Sequence, residues 1–385
     1  MSDAAPIYLD HAATTPVDAR VRAAMDECLA APPGNPSAAH AAGRAGAARI
    51  AVARSQVAQL IGAPPAAIVF TSGATEADNL AILGAARGNA TRGRHVVSVR
   101  TEHRAVLEAC ARLEREGFRI TLLTPGRDGL IEPAAVAAAL APDTTLVSVM
   151  LVNNEIGVLQ DVAAIAAACR GRDVLLHVDA AQAAGRVPLD VVALDADLVS
   201  LSAHKIHGPA GIGALYVRRT PRPVLVPLQF GGGQEGGLRP GTLAVHQIVG
   251  MGLAFELAGR ELATEGARLA ALCDRLREAL VPLGGVHLNG HATRRAPHIL
   301  NLSFEGVDGE SLLYALAGLT VASGSACAST LPEPSYVLRA LGRDAALAEA
   351  SLRFSVGRTT TATEIETAIA AVRAAVTRLR ALAPA

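Results

Sequence analysis

Residues 322–330, ASGSACAST, place Cys327 among small and polar neighbours of the kind found in loops. A structural cysteine usually sits among large apolar residues, whereas an accessible thiolate can act as a nucleophile. The stretch alone leaves both interpretations open, a reactive thiol or an idle loop residue. The other four cysteines lie in helical patterns and are interpreted as core or helix-surface residues: Cys28, Cys110, Cys169 and Cys273.

Polar side chains also follow five successive apolar runs that are typical of strands. In an open parallel sheet, ligands bind beyond the carboxyl ends of the strands. The residues are Thr71, Ser72 and Thr75 after AIVF, Glu102 and His103 after HVVSV, Asn153, Asn154 and Glu155 after TLVSVML, Asp179 and Gln182 at VLLHVD, and Ser202, His204 and Lys205 after DLVSLS. A single one of them has an ordinary explanation as a helix cap or surface residue. Five such ends together predict a sizeable polar ligand.

The residue types at these ends favour pyridoxal 5'-phosphate. The chain has no Gly-rich dinucleotide or nucleoside-triphosphate motif, and His204 and His207 lack a third metal ligand at a suitable spacing. A lysine can form a Schiff base with the cofactor, and an aspartate can keep its pyridine nitrogen protonated so that the ring withdraws electrons. The turn TSGAT can bind a phosphate. Aromatic residues are only 3% of the chain, so the imidazole of His103 is the available stacking plane.

Composition excludes several other classes of function. The 385 residues include 35 Lys+Arg and 35 Asp+Glu, a formal net charge of zero, which argues against nucleic acid or a membrane surface as a partner. No apolar stretch is long enough to span a bilayer. The start, MSDAAPIYLDHAATTP, lacks the pattern of a signal peptide. With five scattered cysteines, the chain is expected to be cytoplasmic and reduced.

The arrangement of strands and helices predicts an α/β protein. Seven apolar runs alternate with helical patterns between about residues 66 and 217, which predicts a large domain with a mostly parallel seven-stranded sheet flanked by helices. Near residue 258 the pattern changes to a long helix followed by shorter elements. We therefore expect a large cofactor-binding domain over 14–257. A smaller α+β domain over 258–385 would carry the Cys327 loop, with residues 1–13 packing on it.

Motifs along almost the whole chain match one known family. The chain resembles the NifS/IscS-like cysteine desulfurases, members of the class V aminotransferase group with the type I pyridoxal-phosphate fold. The matching segments are YLDHAATTP, GNPSAAH, FTSGATEADNL, TEHRAVL, VNNEIGVLQ, HVDAAQAAG, SLSAHKIHGPAGIGALYVR, GGGQEGGLRPGT, SGSACAS, SYVLRALG and SLRFSVGRTT. The SGSAC segment is the most specific, because other class V members share the lysine and aspartate without it.

The resemblance implies a role for each matching site residue. Lys205 would form the Schiff base, Asp179 would pair with the pyridine nitrogen, and Gln182 with the ring hydroxyl. His103 would stack on the ring and shuttle protons. The remaining implied roles are phosphate binding by Ala74, Thr75, Ser202 and His204, contact of Thr242 with the phosphate in the partner subunit, substrate-carboxylate binding by Asn154 and Arg353, and nucleophilic attack by Cys327.

The implied activity converts L-cysteine to L-alanine and leaves sulfur on Cys327 as a persulfide, for iron–sulfur cluster assembly or other thiolation pathways. The implied partners are L-cysteine, a second copy of the chain in a homodimer, and a sulfur-acceptor protein. Gly236 stands where the family often has Arg, and Pro240 where it often has Ser. Three alternatives remain at this point: a plain aminotransferase, a selenocysteine-specific lyase, and a non-catalytic scaffold.

Overall fold

The computed structural model describes residues 6–323 and 334–382, which form thirteen strands and eleven α-helices. The strands are β1 (Ile7–Tyr8), β2 (Ile68–Thr71), β3 (His95–Val99), β4 (Arg119–Leu123), β5 (Thr144–Met150), β6 (Leu175–Asp179), β7 (Leu198–Ser202), β8 (Gly213–Val217), β9 (Val286–Leu288), β10 (Ile299–Phe304), β11 (Leu319–Thr320), β12 (Ala322–Ser323) and β13 (Ser351–Ser355). The helices are α1 (Ala19–Ala30), α2 (Ala41–Leu60), α3 (Ala74–Gly88), α4 (Arg104–Arg115), α5 (Pro133–Ala139), α6 (Val162–Arg170), α7 (Val245–Leu280), α8 (Gly309–Ala315), α9 (Tyr336–Ala340), α10 (Ala345–Glu349) and α11 (Ala362–Leu382).

The larger sheet has seven strands in the order β2-β8-β7-β6-β5-β3-β4. Strand β8 is antiparallel to both of its neighbours, and the other pairings are parallel. Each of the seven apolar runs forms one of these strands, so the predicted mostly parallel sheet is confirmed. Strands β3, β5 and β7 are buried along their whole length, because helices cover both faces of the sheet.

Two apolar cores hold these helices against the sheet. On one face, α3 and α4 pack on alternate side chains of the strands. On the other face, α2, α5, α6 and the first half of α7 form a larger core. Since both faces are occupied by helices, a ligand has access to the sheet only at its ends.

The smaller region is built on a four-stranded antiparallel sheet in the order β12-β13-β10-β9. Helices α8 and α11 and the second half of α7 cover it with a separate core. Strand β1 pairs with β11 in parallel, and Leu9 joins the same core. The predicted smaller α+β region at the C-terminal end is thus confirmed.

Helix α7 connects the two regions without a break. It has 36 residues and begins at Val245, well before residue 258, near which the sequence pattern changes. Ile248 and Phe255 belong to the large core, whereas Leu269 and Leu276 belong to the small one. The transition lies within a helix and not in a linker, and its placement at 257/258 stays a prediction. Of the helices in the described ranges, none is long and apolar enough to cross a membrane.

Candidate functional site

A cavity of about 430 Å³ lies at the carboxyl ends of β2, β5, β6 and β7. The strands end here in polar residues, as the sequence predicts for a ligand-binding edge. The predicted site residues that line it are Ala74, Thr75, His103, Asn154, Asp179, Gln182, Ser202, His204, Lys205 and Arg353. The fold therefore brings together residues that lie up to 279 positions apart, from 74 to 353.

Lys205 lies in the turn after β7 and points across the cavity to the N-terminal segment. Its Nζ donates hydrogen bonds to the carbonyl oxygens of Ala12 and Ala13, at 2.6 and 2.8 Å. The Gln182 amide also donates to the Ala12 carbonyl, at 2.7 Å. The segment around Ala12 thus fixes the positions of two side chains for which the family implies cofactor contacts.

Asp179 is the last residue of β6 and is only 6% exposed. Its Oδ1 accepts a hydrogen bond from the Ala181 backbone N–H at 2.9 Å. Burial raises its pKa, while the bond from Ala181 and the charges of His103 and Lys205 oppose that shift. Burial has removed water from the Asp179 carboxylate. A cationic ring nitrogen next to it would stabilise its negative charge in place of that water.

His103 is the N-cap of α4 and lines the cavity with its ring. Its Nδ1 accepts a hydrogen bond from the Ala105 N–H at 3.1 Å, so the neutral ring carries its proton on Nε2. Burial lowers the pKa of His103, which keeps the ring neutral at pH 7. The ring can take up a second proton only at Nδ1. Protonation there would break the hydrogen bond from Ala105 that caps α4.

The turn between β2 and α3 forms the end of the cavity that suits a phosphate. Gly73 precedes α3, and no side chain caps the helix there, so backbone N–H groups of its first turn remain available to an anion. The Thr71 hydroxyl donates instead to the Gly73 carbonyl at 2.9 Å and is buried. Its predicted contribution to a phosphate site is therefore not seen. A side chain at Gly213 would lie 2.6 Å from the Gly73 backbone, which explains the glycine there.

Ser202, the last residue of β7, and His204 in the turn that follows line the same cavity. The Ser202 Oγ is buried and has no hydrogen-bond partner among the described residues. The His204 Nδ1 is 3.1 Å from the Thr14 hydroxyl, and burial lowers the pKa of His204 to about 4. An unpartnered buried hydroxyl is costly unless a ligand bonds to it, so this end fits a phosphate group. With Asp179 and Lys205 at the other positions, the cavity fits pyridoxal phosphate as a whole.

Arg353 comes from the middle of β13, in the smaller region, and reaches the cavity beside Asn154. Its Nη1 donates to the Asn154 carbonyl at 2.9 Å, and its Nη2 donates to the Asp10 carboxylate at 2.6 Å. The Arg353 Nε and the Asn154 Oδ1 are buried and lack partners among the described residues. Both terminal nitrogens of the guanidinium thus already donate a hydrogen bond to another residue of the protein.

Cys327 lies outside the described residues, but the chain on both sides of its segment is described. Strand β12 pairs Ala322 with Arg353. On the other side, the Ser335 hydroxyl donates to the Glu155 carboxylate, and the Tyr336 hydroxyl donates to the Glu102 carbonyl at 2.7 Å. Both flanking segments are therefore attached next to residues of the cavity.

Thr242 is exposed and does not line the cavity. The loop before it is held to the phosphate turn by the ion pair of Arg239 with Glu76, at 3.0 Å. Gly236 in this loop has φ +64°, a left-handed conformation that favours glycine. The glycine at this position thus agrees with the local backbone.

The remaining cysteines lie on helices α1, α4, α6 and α7, as their sequence patterns predict. Cys110, Cys169 and Cys273 are buried, and burial raises the pKa of each thiol to about 12. Thiols of this kind are poor nucleophiles because the thiolate is scarce at pH 7.

Two of the acidic residues near the site that were not assigned a role from the sequence are Asp78 and Asp10. Asp78 lines the cavity from α3 and lies 3.6 Å from the His177 Nε2, and burial and the charge of Asp179 raise its pKa. An aspartate on the apolar face of a helix is a signal that could have identified it. Asp10 pairs with Arg353, and the local pattern around it gives no such signal.

Comparisons with known proteins agree with this geometry. The family model described as aminotransferase class-V matches residues 7–367. The cysteine desulfurase IscS of Azotobacter vinelandii is 56% identical over 382 residues, covering 98% of this chain and 95% of that protein, and the IscS of Pectobacterium atrosepticum is 53% identical over the same shares. The solved structure of a NifS-like protein superposes with a TM-score of 0.91 at 33% identity, covering 97% of this chain and 100% of that one.

Proposed function

We propose, on the premise that this chain belongs to the class V aminotransferase family, that it is a pyridoxal-phosphate-dependent cysteine desulfurase. It converts L-cysteine to L-alanine and transfers the sulfur to a cysteine of its own chain. The observation that carries this function is the meeting of Lys205, Asp179 and Arg353 in one cavity. This set provides an amine for the cofactor, a partner for its ring nitrogen and a cation for an amino-acid carboxylate.

The residues of the cavity would hold the cofactor at three points. Asp179 would pair with the ring nitrogen, Gln182 with the ring hydroxyl, and the imidazole of His103 would cover one face. The phosphate would be bound at the other end by Ala74, Thr75, Ser202 and His204. When bound, pyridoxal phosphate supplies an electron sink for the carbon from which a proton is removed.

Lys205 is the proton carrier in this proposal. Its Nζ would remove the Cα proton of the substrate, because it is an amine that lines the same cavity as the carboxylate-binding residues Asn154 and Arg353. Asn154 and Arg353 would hold the substrate carboxylate and so orient that proton toward Nζ. His103 would contribute its ring face and the Nε2–H, since its Nδ1 caps α4.

Cys327 would accept the sulfur. Its thiolate forms a sulfur–sulfur bond with the substrate while the carbon–sulfur bond breaks, and the electron pair stays on the substrate carbon. That carbon then takes a proton and becomes the methyl group of alanine. The sum is L-cysteine plus enzyme thiol giving L-alanine plus enzyme persulfide, with no external oxidant.

We further propose a homodimer, in which Thr242 contacts the cofactor phosphate of the partner subunit. The exposed position of Thr242 supports this arrangement, as does the side chain of Phe230, which is 85% exposed in the monomer. Symmetric dimers are also the commonest oligomers. The sulfur acceptor would be an iron–sulfur scaffold protein or another thiolation relay. Because a persulfide cycle needs a free thiol, we propose that the enzyme works in the reducing cytoplasm.

The function is tested by incubating the protein, loaded with pyridoxal phosphate, with L-cysteine. We expect one L-alanine for each sulfur released in the presence of a reductant. The peptide that contains Cys327 should gain one sulfur atom when the reductant is omitted. A protein that binds the cofactor but forms keto acid and no alanine would instead be a plain aminotransferase.

A further inference from the structure

The guanidinium of Arg353 is already paired with a carboxylate of the protein. The Arg353 Nη2 lies 2.6 Å from the Asp10 Oδ1, and the two side chains are only 7% and 18% exposed. Arg353 lines the cavity, whereas Asp10 is not among its lining residues. A substrate carboxylate that binds Arg353 therefore approaches a cation whose charge is largely balanced.

The backbone holds this pair in place. Asp10 forms a β-bridge with Ser355, two residues after Arg353 on the same strand. The Ser355 N–H donates to the Leu9 carbonyl at 2.7 Å, and the Tyr8 hydroxyl donates to the Asp10 carbonyl at 3.1 Å. These bonds fix the backbone of Asp10 beside β13, which keeps its side chain within reach of Arg353.

We propose that Asp10 sets the affinity of the site for α-carboxylates, acting through Arg353. It orients the guanidinium and at the same time repels a second carboxylate, so that L-alanine is not retained after the reaction. The inference rests on the proposed role of Arg353 as the carboxylate-binding residue. Charges in a partly buried site are poorly screened, so a fixed anion next to Arg353 weakens the binding of another.

A second arginine provides a matched control. Arg358 pairs with Asp18, and the two side chains are 21% and 9% exposed. Arg358 lines a different, smaller cavity, and neither residue of the pair lines the one that contains Lys205. Asp18 is the N-cap of α1, a position that Asn fills as well as Asp does. Asp18→Asn therefore removes a comparable carboxylate from an arginine outside the site.

The test compares the binding of L-alanine by the cofactor-loaded wild type, Asp10→Asn and Asp18→Asn, using isothermal titration calorimetry. Asn at position 10 can still accept a bond from Nη2 but has no charge. We expect the dissociation constant of L-alanine to fall about tenfold in Asp10→Asn and to be unchanged in Asp18→Asn. The KM for L-cysteine should fall as well, without a rise in kcat. L-Alaninamide, which has no carboxylate, should bind all three proteins equally.

An Arg353→Gln background tests whether Asp10 acts through Arg353. In this background, the additional change Asp10→Asn should no longer strengthen the binding of L-alanine. The inference is overturned if folded Asp10→Asn binds L-alanine no more tightly than wild type, or if it gains equally for L-alaninamide. Should Asp10→Asn fail to fold, Asp10→Ser serves the same comparison. Failure of the wild type to form alanine from L-cysteine would overturn the proposed function instead, independently of these affinities.

Discussion

The Nζ of Lys205 lies 2.6 Å from the carbonyl oxygen of Ala12, and this contact joins the sheet that carries the lysine to the N-terminal segment. The Gln182 amide donates to the same oxygen. The same segment continues to Asp10, which pairs with Arg353 from the smaller region. Residues 10–13 therefore connect the lysine to the arginine at the other side of the cavity.

Replacement of this lysine should separate cofactor binding from the covalent linkage. Lys205→Ala leaves Asp179, Gln182 and the phosphate turn in place, so the protein should still bind pyridoxal phosphate, but more weakly. We expect the visible absorption band of the linked cofactor to be lost and alanine formation to fall at least a thousandfold, about 4 kcal/mol in barrier. Absorption spectra and an alanine assay check both points, and a Lys205→Ala protein with normal turnover would contradict the assignment.

Cys327 should be needed for sulfur transfer but not for cofactor binding. Cys327→Ser removes the nucleophilic thiol, and serine is a far poorer nucleophile toward sulfur. The variant should keep the cofactor spectrum of the wild type, form little alanine and carry no persulfide by mass spectrometry. Cys28→Ser, on the partly exposed face of α1, is the matched control and should retain full activity. Equal alanine formation by both variants would make Cys327 an idle residue.

His103 caps helix α4 and also lines the cavity. One substitution can remove the second role while it keeps the first. Asn is a preferred N-cap residue but offers no aromatic plane, so His103→Asn should keep α4 stable and weaken cofactor binding. We expect the melting temperature of the cofactor-free protein to change little and the dissociation constant for pyridoxal phosphate to rise about tenfold, roughly the energy of one aromatic contact. A drop in melting temperature without a change in cofactor affinity would show that His103 caps the helix and does not contribute to cofactor binding.

Glu155 should make stability depend on pH. Its carboxylate accepts a bond from Ser335, and burial raises its pKa from 4.5 to about 7. Since the folded pKa is above the unfolded one, the stabilising contribution is complete below pH 4.5 and is lost as the pH rises through 7.

The variant Glu155→Gln has no charge to bury and should escape this loss. Its free energy of unfolding should therefore gain about 3 kcal/mol on wild type between pH 4.5 and pH 8, the equivalent of the shift in the Glu155 pKa. Denaturant titrations at both pH values measure the difference, with Glu27→Gln on the exposed side of α1 as the control. A difference between Glu155→Gln and wild type that is constant with pH would show that Glu155 has an ordinary pKa.

The sequence by itself determined the sheet and the edge at which the site lies. Apolar runs that alternate with helical patterns predict a mostly parallel sheet, because a strand covered by helices on both faces must be apolar on both faces. The polar residues that follow the runs then fall at the carboxyl ends together. Lys205, Asp179 and His103 could therefore be found from local patterns alone, and the motifs around them indicated the family.

The tertiary structure decided the contacts between distant segments. Periodicity records whether a residue is buried, but not which residue from another segment packs against it. The pairing of Asp10 with Arg353, the bonds from Lys205 and Gln182 to the carbonyl of Ala12, and the contact of Asp78 with His177 all depend on such packing. The same holds for the Thr71 hydroxyl, which bonds to the backbone of its own turn, because hydrogen-bond geometry follows from the folded backbone and not from residue type.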